Sequence, residues 1–263
     1  MLLDVKNLAV SYAKSSKPTI EGVNFDLDNG EILAIVGESG SGKTTVIRAI
    51  LNVLPGGGRV SNGEITFDGK NLLALDEKGW QNLRGNQISM IFQDSGAMMN
   101  PVHTIGKQFV EYIQVHSDLD KKSAWETAIE KLELMNLPNP ETILNSYTFE
   151  LSGGMRQRVG IAMAITFQPK LLLADEPTSA LDVTTQAQIV GELMFITRGS
   201  GASMIIVTHN LGVASYLSDK LIVMSGGKVV EAGNTQEIIQ NPQHEYTKSL
   251  LASVPEMGRQ RYV

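Results

Sequence analysis

Hydrophobic positions along the chain follow two spacings, which predicts strands and helices in one fold. Short apolar runs typical of buried strands lie at 32–36, 171–174 and 203–208. Apolar residues recur at helical spacing between these runs, as they do near 183–198 and after His209. The alternation of strand and helix predicts an α/β core.

The beginning of the chain favours strands. Residues 2–36 read as a series of strands, and a further strand is expected at 60–68, closed by a turn at Asp68-Gly69-Lys70. Another apolar run at 88–92 predicts a strand that ends at Gln93. The amino-terminal part is therefore predicted to be rich in β structure.

From about Asp94 to Phe167, the spacing of apolar residues is mostly helical. One predicted helix carries a shared apolar face and is expected to be broken by Pro138 and Pro140; the face consists of Ala124, Trp125, Ala128, Ile129, Leu132 and Met135. Strand and helix alternate again beyond 169, and closing helices are expected near 235–240 and 244–253. This order predicts a helical block inserted into a sheet-and-helix core.

The segment from Gly37 to Thr44 fits the phosphate-binding pattern G-x-x-x-x-G-K-[ST] and lies between a predicted strand and a predicted helix. Its glycines allow a tight turn whose N–H groups can point at phosphate oxygens, and the helix that follows adds the positive end of its dipole. Lys43 would reach the β- and γ-phosphates, and the Thr44 hydroxyl would bind Mg²⁺. The pattern predicts binding of a nucleoside triphosphate.

Two adjacent acids follow the apolar run at 171–174. An acid at such a strand end holds Mg²⁺ in phosphate-loop ATPases, and Asp175 fits that role. Glu176, one residue further, is placed to polarise the attacking water. The plainer interpretation is that these acids only cap the next helix.

A second glycine-rich segment, at 151–158, places Ser152, Gly153 and Gly154 at the start of a predicted helix. Exposed N–H groups and a hydroxyl at a positive helix end predict a second anion site. The alternative is an ordinary serine cap followed by flexible glycines.

Composition narrows the class of protein. The 263 residues are 42% hydrophobic and carry 28 acids against 22 bases, a net charge of −6, so no basic footprint for nucleic acid is present. No apolar run approaches the roughly 18 residues of a membrane span, and the first residues lack the layout of a signal peptide. The absence of cysteine excludes disulfides, thiolate zinc sites and cysteine-held iron–sulfur clusters. A soluble, intracellular protein is expected.

In their order along the chain, the phosphate loop, Gln93, the L-S-G-G-M-R-Q-R segment, L-L-L-A-D-E-P and His209 resemble an ABC transporter ATPase subunit. The resemblance covers essentially the whole chain. It implies one ABC ATPase domain over 1–263, of the α/β class. A phosphate-loop (RecA-like) core with an amino-terminal antiparallel β subdomain would take 1–93 and 168–263, and a helical signature subdomain would take 94–167.

The resemblance also implies a role for each matching residue. Tyr12 would stack on adenine, and Gln93 would contact Mg²⁺ or water and sense the membrane partner. The triphosphate cradle would comprise Gly37, Glu38, Ser39, Gly40, Ser41, Gly42, Lys43, Thr44 and Thr45. Lys43, Glu176 and His209 would be the catalytic residues. The metal would be bound by Thr44, Gln93 and Asp175.

Two further elements would act between subunits. The signature segment Ser152–Gly154 would cap the γ-phosphate of ATP bound to the opposite subunit, and Asp182 would couple the two sites. Since a chain should not place its signature on its own ATP, two ATPase subunits must meet face to face, and hydrolysis would release them.

Three of these assignments have plainer rivals. Tyr12 could be a half-buried strand tyrosine, Gln93 could merely end a strand, and His209 could cap the next helix. All three residues fall at the family's positions, which favours the functional interpretation.

Segments at 63–69, 90–94, 100–101 and 244–255 look like the importer group for oligopeptides, dipeptides, nickel and metallophores. The last of them could also be plain packing, and the cysteine cluster of many members is not carried over. The resemblance implies ATP and Mg²⁺ as cofactors and a peripheral position on the cytoplasmic face of the membrane. The implied partners are a second ATPase subunit, related or identical, two transmembrane permeases and, indirectly, an extracytoplasmic solute-binding protein, with no nucleic acid.

Three other classes of protein predict different sequence features. An ABC ATPase acting on nucleic acid or ribosomes would show two cassettes, a long coiled-coil insertion or a basic surface. A nucleotide-binding regulator without hydrolysis would lack Glu176 or His209, and exporters commonly fuse membrane spans to the ATPase. The importer ATPase is therefore the leading prediction, with the non-transport ABC ATPase as its alternative.

Overall fold

The computed structural model describes residues 1–13 and 17–252. The strands are β1 Leu3–Ser11, β2 Ile20–Leu27, β3 Ile32–Val36, β4 Arg59–Phe67, β5 Lys70–Asn71, β6 Ile88–Ile91, β7 Leu171–Asp175, β8 Ser203–Thr208, β9 Lys220–Ser225 and β10 Lys228–Asn234. The helices are α1 Lys43–Ile50, α2 Glu77–Leu83, α3 Ser95–Met98, α4 Ile105–His116, α5 Lys121–Leu134, α6 Pro140–Asn145, α7 Gly153–Ile165, α8 Val183–Ser200, α9 Leu211–Leu217, α10 Thr235–Gln240 and α11 Glu245–Ala252.

The central sheet has six strands in the order β10-β9-β3-β8-β7-β6. From β9 to β6 all neighbours pair in parallel, and β10 is antiparallel at one edge. Its middle strands are buried along their whole length because both faces are covered, which explains their unbroken apolar sequence. Alternate side chains of β3 enter two different cores, with Ile32 and Ala34 on one face and Leu33 and Ile35 on the other.

A second, antiparallel sheet of order β2-β1-β4-β5 covers one face of the central sheet. The register between its long strands shifts at β-bulges or other irregularities, and the predicted turn at Asp68-Gly69 joins β4 to β5. The helices α3 to α7 lie between β6 and β7 in the chain, where the helical block was predicted. The α/β class with an antiparallel β subdomain and inserted helices is confirmed.

The inserted helices are stabilised by a shared core and by side-chain caps. The predicted apolar face of α5 is buried through Ala124, Ala128 and Leu132. Asp120 caps α5 by accepting the Ser123 N–H at 2.8 Å. These contacts fix α5 against α4 and α7.

Some element boundaries differ from the prediction. Strand β6 ends at Ile91, two residues before Gln93. The helix predicted to be broken by two prolines already ends at Leu134, and Pro140 instead occupies the first turn of α6, where its missing N–H costs nothing. The closing helix predicted near 244–253 spans Glu245–Ala252, and residue 253 lies outside the described part. In that part, no helix has the length and apolar character to cross a membrane.

Candidate functional site

The parallel strands bring the predicted site residues to one edge of the central sheet. β3 leads into the phosphate loop, β8 into His209, β7 into Asp175 and Glu176, and β6 towards Gln93. These four strands are consecutive neighbours, and the register pairs Val36 with Thr208 and Asp175 with Val207. The carboxyl edge of a parallel sheet is where α/β proteins bind ligands.

The phosphate loop connects β3 to α1 through a turn that only glycine permits at two positions. Gly37 and Gly42 have φ angles of 150° and 101°. A side chain at Gly37 would collide with the Met224 carbonyl, and one at Gly42 with Ile20. The loop is therefore held against β9 and β2 while its tip, Glu38 to Gly40, stays exposed.

Lys43 is the buried cation at this loop, and its side chain is turned towards the loop backbone. Its Nζ donates to the Gly37 and Glu38 carbonyls at 2.8 Å each. Burial lowers the pKa of this ammonium group, while the carboxylates of Glu176, Asp175 and Glu38 oppose that shift. A cation held this way can bind phosphate oxygens.

Asp175 lies next to Thr44, as a shared metal site requires. The Thr44 hydroxyl donates to Asp175 Oδ1 at 2.8 Å, and the Arg48 guanidinium lies 3.8 Å from Asp175 Oδ2. Burial raises the pKa of Asp175, although Thr44 and Arg48 act to lower it. A buried carboxylate beside a hydroxyl offers the oxygen ligands that Mg²⁺ prefers, so these residues fit the metal.

Glu176 and His209 form a pair beside this site. His209 Nδ1 lies 3.2 Å from Glu176 Oε2, and the Glu176 N–H donates to the Val207 carbonyl at 2.9 Å. Glu176 has a φ of 44°, an uncommon left-handed conformation for a residue with a side chain. The bend turns Glu176 out of the line of β7, next to the end of β8. A carboxylate and an imidazole in contact can orient water and transfer a proton.

Gln93 is exposed, and Gln157 positions the segment that carries it. The Gln157 amide donates to the Phe92 carbonyl at 2.9 Å and accepts from the Ser95 N–H at 3.2 Å. With 3% exposure, its side chain is buried between α7 and this segment. No role was predicted for Gln157, since its two partners are 65 and 62 residues away along the chain. Its place in the L-S-G-G-M-R-Q-R segment was the only signal.

The signature segment begins α7 at the surface. Ser152 caps the helix by accepting the Met155 N–H at 3.3 Å, as the plainer interpretation expected, and Ser152 and Gly153 are exposed. Among the described residues, no hydrogen bond or ion pair joins this segment to the phosphate loop of the same chain. The signature segment is thus accessible to another molecule.

Asp182 lies close to the signature segment through Thr185. Its two carboxylate oxygens accept from the Thr185 N–H at 3.0 Å and the Thr185 hydroxyl at 2.7 Å. Those bonds, from the Thr185 backbone first, lower the pKa of Asp182. Thr185 also packs so closely on Gly154 that a side chain there would collide with it. Residue 154 therefore needs to be glycine for α7 to approach α8.

Tyr12 directly follows β1 and is partly buried against the core shared by the two sheets. Its ring lies on Gly58, where any side chain would collide with it. Stacking of this ring on adenine stays a prediction.

The comparison with known families agrees with this geometry. The ABC transporter family model matches residues 20–179, from β2 to just past the Asp175–Glu176 pair. A second model, described as the oligopeptide/dipeptide transporter C-terminal region, matches residues 230–262. The two matches together include the phosphate loop, the signature segment and the end of the chain.

Individual relatives extend over nearly all of the chain. An oligopeptide transport ATP-binding protein of Bacillus subtilis is 49% identical over 97% of this chain and 72% of its own length. A dipeptide transport ATP-binding protein of Escherichia coli is 40% identical over 99% of this chain and 80% of its own length.

A solved structure shows the same fold. The dimeric structure of an ATP-binding cassette in a post-hydrolysis state, bound to ADP and Pi, superposes with a TM-score of 0.79 at 27% identity, covering 89% of this chain and 99% of that one. The fold, the aligned strand ends and the family match lead to one conclusion. The chain belongs to the ABC transporter ATPase family and shares its C-terminal region with the oligopeptide/dipeptide transporter branch.

Proposed function

We propose that this chain is the ATP-hydrolysing subunit of a membrane ABC importer, with peptides as the favoured cargo. One observation carries the proposal: the ends of four neighbouring parallel strands bring the phosphate loop, Asp175, Glu176, His209 and Gln93 to one edge. The names of the relatives favour peptides, and nickel and metal–chelate complexes remain the alternatives. The relatives are transport proteins, so a non-transport ABC ATPase is not favoured.

The reaction follows from positions and charges. Lys43 and the loop N–H groups would hold the phosphates, and Thr44, Asp175 and Gln93 would hold Mg²⁺, which neutralises charge on the phosphate oxygens. Glu176 would orient the attacking water, and its contact with His209 Nδ1 at 3.2 Å would set the direction of the carboxylate. Tyr12 would stack on adenine and Thr45 would complete the cradle. Little covalent chemistry is needed, because phosphoryl transfer depends mainly on positioning.

Each site would be completed by a second ATPase subunit. The signature segment is exposed and makes no hydrogen bond to its own phosphate loop in the part of the chain described. An exposed helix start offers N–H groups and a hydroxyl to an anion on a facing molecule. ATP would then join two subunits, and Asp182, next to the signature segment through Thr185, would link the two sites.

The permeases would dock beside Gln93. A groove of about 380 Å³ lies between β6, α3, α4 and α7, and Phe92 and Ser95, which flank Gln93, line it. Other lining residues include Met90, Met98, Met99, Tyr112 and Met163. Methionine-rich apolar surfaces adapt to an inserted helix. Docking there would place the chain on the cytoplasmic face of the membrane, with the helical subdomain 94–167 against the permease and the core at 1–93 and 168–263.

Two substitutions test the nucleotide site. Lys43→Ala should weaken ATP binding at least about tenfold, because a charge-assisted contact is worth roughly 1.5–3 kcal/mol. Glu176→Gln should keep nucleotide affinity but reduce kcat about 100-fold or more, as expected for loss of a general base. Fluorescent-nucleotide titration and phosphate release measure the two effects.

Lys78→Ala, at an exposed lysine of α2, is the matched control and should leave both quantities unchanged. Unchanged titration of the Lys43 variant would remove that residue from the cradle. Phosphate release at the wild-type rate by the Glu176 variant would reject it as the base.

A further inference from the structure

The phosphate loop is contacted by a helix from the far end of the chain. Tyr246 lies on α11, and its hydroxyl oxygen accepts the Glu38 N–H at 2.9 Å, across 208 residues of sequence. Its ring is partly buried against the core that Ile32 and Ala34 enter on one face of the central sheet. Tyr246 belongs to the region matched by the oligopeptide/dipeptide transporter C-terminal model, residues 230–262.

The bond holds the same peptide group that receives Lys43. The Gly37 carbonyl and the Glu38 N–H are the two ends of one planar peptide unit. Lys43 Nζ donates to that carbonyl at 2.8 Å, while Tyr246 accepts from the N–H at 2.9 Å. Because the unit is planar, fixing the N–H also fixes the direction of the carbonyl. Tyr246 therefore determines how the loop presents its backbone to Lys43.

The position of α11 is fixed in turn by a carboxylate on β10. The side chain of Glu231 accepts the Gln243 N–H at 2.8 Å and the His244 N–H at 3.1 Å, just before α11 begins. The Tyr246 N–H donates to His244 Nδ1 at 3.1 Å, which starts the helix. A chain of direct contacts thus runs from Glu231 through α11 to the phosphate loop.

We propose that Tyr246 is a positioning residue for nucleotide binding, through which the C-terminal region 230–252 sets the geometry of the phosphate loop. A displacement of α11 would release the Gly37–Glu38 peptide and lower affinity for ATP without altering the Lys43 side chain. The inference rests on the nucleotide site proposed above.

Tyr246→Phe tests it by removing one oxygen. Loss of a hydrogen bond worth about 1 kcal/mol predicts a rise of about fivefold in the KM and Kd for ATP, with kcat little changed. Amide hydrogen exchange in peptides covering 37–44 should become faster. The control is Tyr216→Phe, at a ring that is 61% exposed on α9, and it should change none of these quantities.

A merely structural tyrosine would lower the unfolding temperature and leave Kd and loop exchange at wild-type values well below that temperature; this result overturns the proposal. Glu231→Gln should weaken ATP binding in the same direction, and the double variant should add little to Tyr246→Phe, because both act through α11. Fully additive effects would also contradict it. Lys43→Ala separates failure of this inference from failure of the proposed nucleotide site. If Lys43→Ala leaves the ATP titration unchanged, the nucleotide site itself is wrong. If Lys43→Ala weakens ATP binding and Tyr246→Phe does not, only the role of Tyr246 is rejected.

Discussion

Asp175 illustrates at the scale of one residue how a functional site costs stability. Its carboxylate is buried, and burial raises its pKa above 3.8, the ordinary value for aspartate. A raised pKa in the folded state means that the charged form is less stable folded than unfolded. The carboxylate therefore destabilises the fold at neutral pH, and the penalty vanishes at a pH low enough to protonate it in both states.

Asp175→Asn should accordingly raise the free energy of unfolding at pH 7 in metal-free buffer, although loss of the contact with Arg48 reduces the gain. The gain should shrink as pH falls towards 3.8 and Asp175 becomes protonated. Urea unfolding from pH 4 to 8 measures this, and phosphate release should be lost throughout. A variant that is less stable at pH 7, or a gain independent of pH, would contradict the explanation.

Residue roles differed in how far the sequence could predict them. Lys43, Thr44 and Asp175 could be proposed as site residues because strand, loop and helix signals adjoin them in sequence, and their roles stay predictions. The bonds from Gln157 to the Phe92–Ser95 segment and from Tyr246 to Glu38 were not, because each joins distant parts of the chain. Both residues lie in segments that the sequence singles out, but a single sequence does not show which distant backbone atoms they bind.

At the scale of elements, α7 both begins with the signature segment and holds the segment from Phe92 to Ser95. Its buried Gln157 holds the segment between β6 and α3 by two backbone bonds, and Gly160 allows Ser95 to pack against the same helix. A shift of α7 would therefore move Gln93 as well. This gives a direct mechanical link between the signature segment and the predicted permease groove.

Gln157→Ala should lower the free energy of unfolding by about 2 kcal/mol, since it leaves the buried Ser95 N–H and the partly buried Phe92 carbonyl without their partner. Equilibrium unfolding in urea measures the change. Gln236→Ala, at an exposed glutamine of α10, is the control and should stay within about 0.5 kcal/mol of the wild type. Equal stability of the two variants would show that Gln157 does not hold this segment.

Element boundaries show where sequence reasoning fails. Buried strands were predicted well because burial on both faces leaves an unbroken apolar run, and the apolar face of α5 because burial of one stripe leaves a helical period. Pro140 was expected to break a helix, but it begins α6, because proline suits the first turn as well as an interruption. A proline of this kind marks a helix boundary, but it does not tell whether the helix lies before or after it.

At the scale of the whole molecule, the proposed docking of permeases at the groove between β6, α3, α4 and α7 leads to a separate prediction. Met98 lines this groove and is 61% exposed, so a permease helix inserted there would contact its side chain. Met98→Glu should reduce co-purification with the permeases about tenfold and leave ATP binding by the free subunit unchanged. Val115→Glu, at an apolar residue of α4 that is 72% exposed and lies outside this groove, is the control. Equal recovery of permeases with both variants would place docking elsewhere.

The dependence of ATP turnover on chain concentration examines the composite site itself. The phosphate loop and the exposed signature segment of one chain make no mutual hydrogen bond in the described structure, so turnover should need two chains. Phosphate release per chain should rise with concentration in parallel with the dimer fraction seen by analytical ultracentrifugation. Full turnover that stays constant down to concentrations at which every chain sediments as a monomer would contradict a site built from two subunits.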